Sequence, residues 1–342
     1  MEHLFIQHLN KKQHEDIVEL YNSSSIISIE QYPGWAEINN PQKGILYYLC
    51  YENEILAGYA VIIEKYKIAT INYGPVCINQ NYLISCIIEI YNYYSVKKFA
   101  KILLKPKFTE QTDAENIELM LNKKLKFKKS GKDNENWTTI RINLFKSIEE
   151  IRAGYSQNHK RSIKKASSLG LVIEKINDIN TVDKLSSIYN HLYTNRKLVK
   201  SFKNTHEVFF KIWNFFNIHQ NGDFWGVYFN QQLIGGLILI KQKKTIFYQY
   251  GASDNNYKKI PILHMVFDHA IEYYKNENFQ YFDLGGFPLN VEETDQIYKI
   301  NRFKKGFGGE IINYPPCISI TINKKLEIVL ESAKKIRNKL FR

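Results

Sequence analysis

FWGVYFNQQLIGGLILIKQKKTIFYQYGASDNNYKKIPILHMVFDHAIEYYKNENFQYFDLGG, residues 224–286, is the stretch whose reading decides the fold. It predicts a strand over 224–229, a tight turn at Asn230-Gln231-Gln232, and a second strand over 233–240. A basic turn leads to a third strand over 245–252, a loop over 253–260 and a helix from Pro261 to about 276. The last strand, Tyr281-Phe282-Asp283-Leu284, is stopped by Gly285-Gly286. Short apolar and aromatic runs cut by turn residues mark the strands. Ile262, Met265, Val266, His269, Ala270 and Tyr273 recur at helical spacing, and Pro261 suits a first helical position.

The same order occurs once more, in the N-terminal half. Residues 46–51 and 55–64 read as strands around the turn Glu52-Asn53-Glu54, and 69–73 as a third strand ending at Gly74-Pro75. A helix over about 82–94 and a strand Lys101-Ile102-Leu103-Leu104 before Pro106 complete the copy. Gly236 of the pair Gly235-Gly236 lies 178 positions after Gly58 of Ala57-Gly58, and Gly251 of Tyr250-Gly251 lies 177 after Gly74 of Tyr73-Gly74. Near-equal offsets inside one element order point to duplication of an α/β (α+β) unit with mixed sheets flanked by helices.

The 342 residues suffice for two such domains, each with its own core. Forty-seven Lys and Arg against 34 Asp and Glu give a net charge of +13, which favours polyanionic partners. Cys50, Cys77, Cys86 and Cys317 show no CxxC spacing, so neither a zinc site nor a disulfide frame is expected, and a reducing compartment fits. The early residues lack a signal-peptide pattern, and no apolar run reaches the roughly 20 residues of a membrane span. A soluble, cytoplasmic protein is expected, a monomer or weak oligomer.

Trp137 to Leu144 alternates and predicts a strand that closes the first domain or crosses into the second; the boundary is placed at 146/147, giving domains 1–146 and 147–342. Residues 122–136 read as a Lys-rich loop, 147–169 as one helix with a basic face, and 208–216 as an extra helix capped by Thr205. Residues 324–342 read as a basic amphipathic helix, which packs on its own domain or lies on a membrane surface. There is no coiled-coil arm. His264 and Asp268 stand one helical turn apart, a pairing more often structural than catalytic. No P-loop, HExxH or GxSxG motif is present.

The unit's element order resembles the GNAT acyltransferase fold. Acetyl-CoA enzymes of that fold carry a glycine-rich loop before the helix, where backbone N–H groups hold the pyrophosphate. Here the two corresponding loops, 253–260 and 76–80, contain no glycine. The chain further carries Gln31-Tyr32-Pro33-Gly34-Trp35-Ala36-Glu37, Tyr73-Gly74-Pro75, Asn158-His159-Lys160-Arg161, Thr194-Asn195-Arg196, Tyr248-Gln249-Tyr250-Gly251-Ala252, Phe282-Asp283-Leu284-Gly285-Gly286 and Phe303-Lys304-Lys305-Gly306-Phe307-Gly308. In their order and spacing, over nearly the whole chain, these resemble the Fem family of aminoacyl-tRNA-dependent transferases that build peptidoglycan cross-bridges, in tandem GNAT-like domains.

That resemblance implies an aminoacyl-tRNA donor, no cofactor and no metal. It implies as acceptor the amine of a nucleotide- or lipid-linked cell-envelope precursor, with work at the inner face of the membrane. Lys304 matches the family's catalytic lysine, suited to a developing oxyanion. Asp283 is the second catalytic candidate, with turn formation as its alternative. Arg196 matches a contact to the acceptor's phosphates. Trp35, Tyr73, Arg161, Tyr248, Tyr250, Phe303 and Lys305 complete the implied substrate-binding set. Lys105 precedes Pro106 where members acting on peptidoglycan precursors commonly place an acid, and Ile38 and Asn39 replace a usual lysine; both departures bear on the acceptor. Two other readings stand beside this one. The first is an acyl-CoA-dependent N-acyltransferase of a polysaccharide amino-sugar; the second is a non-catalytic nucleic-acid or membrane-binding module.

Overall fold

The computed structural model describes residues 1–24, 28–40, 43–105, 127–129, 138–195, 205–289, 291–314 and 317–340. In chain order the elements begin with β1 (Glu2–Ile6), α1 (Lys11–Ser23), α2 (Trp35–Asn39), β2 (Gly44–Glu52), β3 (Ile55–Lys65), β4 (Ile68–Asn72) and β5 (Val76–Cys77). They continue with α3 (Gln80–Val96), β6 (Lys101–Lys105), β7 (Phe127–Lys129), β8 (Thr138–Asn143), α4 (Ile148–Ala153), α5 (Gln157–Ser167), β9 (Val172–Lys175), α6 (Ile179–Asn195) and α7 (Thr205–His219). The remainder is β10 (Gly222–Phe229), β11 (Gln232–Gln242), β12 (Thr245–Ser253), α8 (Ile262–Asn276), β13 (Tyr281–Gly286), α9 (Gln296–Lys305), β14 (Glu310–Asn313), β15 (Ile318–Thr321) and α10 (Lys324–Leu340).

The chain divides into two compact units, one of Met1–Asn134 with Tyr314–Arg342 and one of Glu135–Asn313. The first holds a sheet in the order β1-β2-β3-β4-β6-β15-β7, with β5 on β3; the second holds β14-β8-β13-β12-β11-β10-β9. The run β2-β3-β4-α3-β6 recurs as β10-β11-β12-α8-β13, and in each the last two strands pair in parallel while the hairpins are antiparallel.

The repeat extends to local chemistry. Both first hairpins turn on two residues with positive φ, Asn53 and Glu54 in one and Asn230 and Gln231 in the other, the twist that suits two-residue loops. The register shifts in each just before that turn, between Cys50 and Tyr51 and between Val227 and Tyr228. The small residues opposite have a steric reason: a Cβ on Gly236 would lie 2.1 Å from the Trp225 carbonyl oxygen. Each sheet packs its apolar face on its long helix. Leu83, Ile87, Ile90 and Tyr94 of α3 meet Leu46, Tyr48, Ile62 and Ile102; Val266, Phe267, Ala270 and Tyr274 of α8 meet Trp225, Leu237, Leu239 and Phe282.

The structure departs from the expected division at 146/147 on two counts. β8 pairs with β13 and β14, so it belongs to the second sheet and the chain crosses before it. After β14 the chain returns, and β15 inserts between β6 and β7 of the first sheet. The expected loop over 122–136 accordingly contains β7, which forms because β15 offers it a partner. The expected single helix over 147–169 is two: Gly154 ends α4 and Ser156 caps α5 by accepting the His159 N–H.

Candidate functional site

β12 and β13 pair only over Thr245–Phe247 and Tyr281–Asp283. Beyond that both strands are irregular. β12 shifts register against β11 around Gln249, and β13 shifts against β8 between Asp283 and Gly286. Gly285 permits the second irregularity with φ +74°, a conformation that costs a side-chain-bearing residue about 1 kcal/mol or more. The candidate groups gather at this interruption.

Asp283, 1% exposed, accepts through Oδ1 from the Gly285 N–H at 2.8 Å and from the Thr139 hydroxyl. Its Oδ2 faces the Arg141 Nε across 3.7 Å, an ion pair beyond good hydrogen-bond reach. Lys304 is 8% exposed and its Nζ donates to the Gly286 carbonyl at 2.8 Å, 5.8 Å from the centre of the Tyr248 ring. Burial pushes the ammonium down to about 8, with the Asp283 carboxylate opposing that fall. An ammonium has three donors, so Lys304 retains capacity for a ligand oxygen. Lys304 lies in the last turn of α9, and the glycines begin two residues later, with Gly306 as the C-cap.

His159, part of the Asn158–Arg161 motif but not among the candidate site residues, holds that helix end. Its Nε2 donates to the Phe303 carbonyl at 2.9 Å and its Nδ1 accepts from the Ser156 hydroxyl at 3.0 Å. Burial lowers its pKa and keeps the ring neutral. A Cβ on Gly306 would lie 2.0 Å from this ring, so the glycine lets the helix end close over it. The signal available in the sequence was the spacing of Ser156 and His159, an N-cap with its N3 residue. Phe303 packs edge-on to His264 and Phe307 at 5.1 and 5.3 Å, turning the neighbouring Lys304 the other way, toward Gly286.

The other candidates scatter. Tyr248 stacks edge-on to Phe267 at 4.9 Å beside Lys304, whereas Tyr250 sits between Tyr189 and Phe209, each 5.6 Å away. Arg161 and Lys305 are exposed on α5 and α9. In the first unit Trp35 is fully buried and serves as a core anchor rather than a cleft wall. Tyr73, half-buried with φ +59°, donates its N–H to the Lys105 carbonyl at 2.6 Å. There Gln31 bridges β3 and β4, bonding both the N–H and carbonyl of Val61 and the Asn72 carbonyl. Arg196 lies outside the described residues. Asp268 is gripped bidentately by Arg152 at 3.0 and 2.8 Å and forms no dyad with His264.

A cavity of about 390 Å³ lies beside this centre, lined by Lys165, Lys258, Lys259, Tyr257, His264 and Phe303 among others. It adjoins the loop that in acetyl-CoA enzymes holds pyrophosphate, and that loop bonds part of its backbone to itself. Asp254 takes the Asn256 N–H through its carboxylate at 2.8 Å. The N–H groups of Tyr257, Ile260 and Ile262 are bonded to Asp254, Tyr257 and Ile260 carbonyls within the loop. These amides are not available to cradle a phosphate. Among the described residues no group of His, Cys, Asp and Glu could hold a metal ion.

Residues 153–300, which contain this centre apart from Lys304 and Thr139–Arg141, match the family model described as an acetyltransferase (GNAT) domain. The whole chain has a tandem GNAT-like fold of the Fem type. It superimposes on the crystal structure of FemX with a TM-score of 0.80 at 15% identity, covering 97% of this chain and 100% of that one. The C-terminal domain of a putative lysylphosphatidylglycerol synthetase from Agrobacterium fabrum follows at TM-score 0.63 and 10% identity, covering 95% and 97%. A tandem GNAT protein from the clavulanic acid biosynthesis pathway gives 0.55 and 8%, covering 94% and 99%. No curated protein sequence matches the chain.

Proposed function

We propose that this chain is an acyltransferase that moves an aminoacyl group from charged tRNA onto an amine of a cell-envelope precursor, at the cytoplasmic face of the membrane. The observation that carries this reading is Lys304: a buried ammonium with spare donors, set where two parallel strands stop pairing. The likeness to FemX and to lysylphosphatidylglycerol synthetase supports aminoacyl transfer over other acyl chemistry. The glycine-free, internally bonded loop speaks against acetyl-CoA.

In the reaction, the acceptor amine attacks the ester carbonyl and the carbonyl oxygen gains negative charge, which the Lys304 ammonium stabilises. The C–O bond to the ribose then breaks. The departing oxygen takes a proton from Lys304, and the neutral lysine recovers one from the newly bonded nitrogen. A pKa of about 8 suits this exchange, since neither proton state is far from reach at neutral pH. Asp283 keeps the lysine charged between turnovers, and Arg141 and Thr139 hold Asp283.

The test offers the protein radiolabelled aminoacyl-tRNA or acetyl-CoA with an extract of envelope precursors. Label passing from base-labile ester to stable amide, with acetyl-CoA inert and showing no heat of binding at micromolar concentration, is expected. Transfer from acetyl-CoA alone would overturn the donor.

A further inference from the structure

We propose that the outward face of α10 docks on an anionic lipid surface. The helix is attached to its own unit through its acids. Glu327, 7% exposed, lies 3.5 Å from the Lys101 ammonium of β6 and accepts from the Thr321 hydroxyl at 3.1 Å; Glu331 reaches the same lysine at 3.4 Å. These are the helix's two acidic residues; Glu327 is buried, while Glu331, its side chain 56% exposed, is paired with Lys101. The outward side is left with cations: Lys325, Lys334 and Lys335 are all exposed.

Among those cations stand large apolar side chains that are exposed. Ile328 is 52% exposed, Val329 62% and Ile336 60%. Val329, Ala333 and Ile336 follow the spacing that stacks residues along one side of a helix, with Lys325 one turn before them. An aliphatic row flanked by lysines, with the one exposed acid, Glu331, paired to Lys101, matches a headgroup layer, where lysines meet phosphates and the row enters the acyl boundary. A nucleic-acid backbone would reward the lysines and leave Val329, Ile328 and Ile336 in water. The aliphatic row therefore favours lipid. This proposal does not depend on the donor or on Lys304.

The test floats the full chain with phosphatidylcholine vesicles, with and without about a third phosphatidylglycerol. Wild type is expected to float with the anionic vesicles and to stay behind with the neutral ones. Val329→Asp with Ile336→Asp should lower partitioning by on the order of tenfold or more, because aliphatic burial is replaced by two repelled charges. Lys325→Glu with Lys335→Glu should lose a comparable factor and flatten the salt dependence. All four positions are exposed, so melting temperatures should match wild type and certify folding. The proposal fails if wild type ignores anionic vesicles or if the aspartate pair floats like wild type. It fails equally if the lysine changes abolish tRNA binding while vesicle binding is untouched, which would make the face a nucleic-acid surface.

Discussion

At the scale of a residue, Lys304 sits in an environment that opposes its charge. Its pKa in the folded chain, about 8, lies below the 10.5 of a free lysine. The unfolded chain therefore holds more protons between those values, and stability contributed at this position rises with pH across that window. Below about pH 8 the full cost of burying the ammonium is present, about 3 kcal/mol for a shift of this size. Lys304→Met keeps the volume and removes the charge. Denaturant unfolding should show wild type gaining on the variant by up to that amount as pH rises from about 8 to about 10.5; a constant difference would mean that no ammonium is buried. Turnover should fall in the variant by on the order of 100-fold, and in wild type it should decline as pH passes about 8 and the cation is lost. Lys299→Ala, at an exposed position of the same helix, is the control that should change neither.

At the scale of elements, the break in β13 places the Gly286 carbonyl under Lys304, and Gly285 permits the break. A Cβ there would have φ +74° and lie 3.3 Å from the Tyr248 carbonyl oxygen and 3.7 Å from Lys304 Nζ. Gly285→Ala is expected to cost about 1–2 kcal/mol in stability and, by moving the lysine, considerably more in turnover than that loss explains. Equal small effects on both would assign Gly285 a structural role only. Much of this level was legible in advance. Pro261, Gly235-Gly236 and the paired turns at Asn53 and Asn230 carry strong local preferences, and their elements stand where those preferences put them. The helix that presents Lys304 was not legible. Gly306, Gly308 and Gly309 follow it so closely that the segment resembles a loop, and its hold comes from His159, 144 positions before the Phe303 carbonyl it bonds. The break between α4 and α5 was legible in principle: Ser147 with Glu150, and Ser156 with His159, are two cap signals where one helix was expected. The burial of Trp35 was not legible either, since an aromatic in a motif carries no mark of whether it faces a cleft or a core.

At the scale of the molecule, sequence order and spatial order part company at the C-terminal strand. Ile318–Thr321 is short, and nothing in its composition says which sheet receives it. In the structure β15 is an interior strand: Ile318 and Ile320 are buried, it bonds β6 on one side, and it is the partner of β7 on the other. A chain stopped after Asn313 leaves the edges of β6 and β7 without their bonds. Limited proteolysis of that truncation should yield a resistant fragment covering 135–313 and rapid loss of 1–134; a stable N-terminal fragment would show β15 to be dispensable. The order of synthesis gives this arrangement a further meaning. The second unit is contiguous in sequence and can fold as it leaves the ribosome, while the first, although begun earlier, waits until β15 has been made. A product that stops before β15 thus carries an open sheet edge that chaperones and proteases can recognise, and a chain that includes β15 hides it.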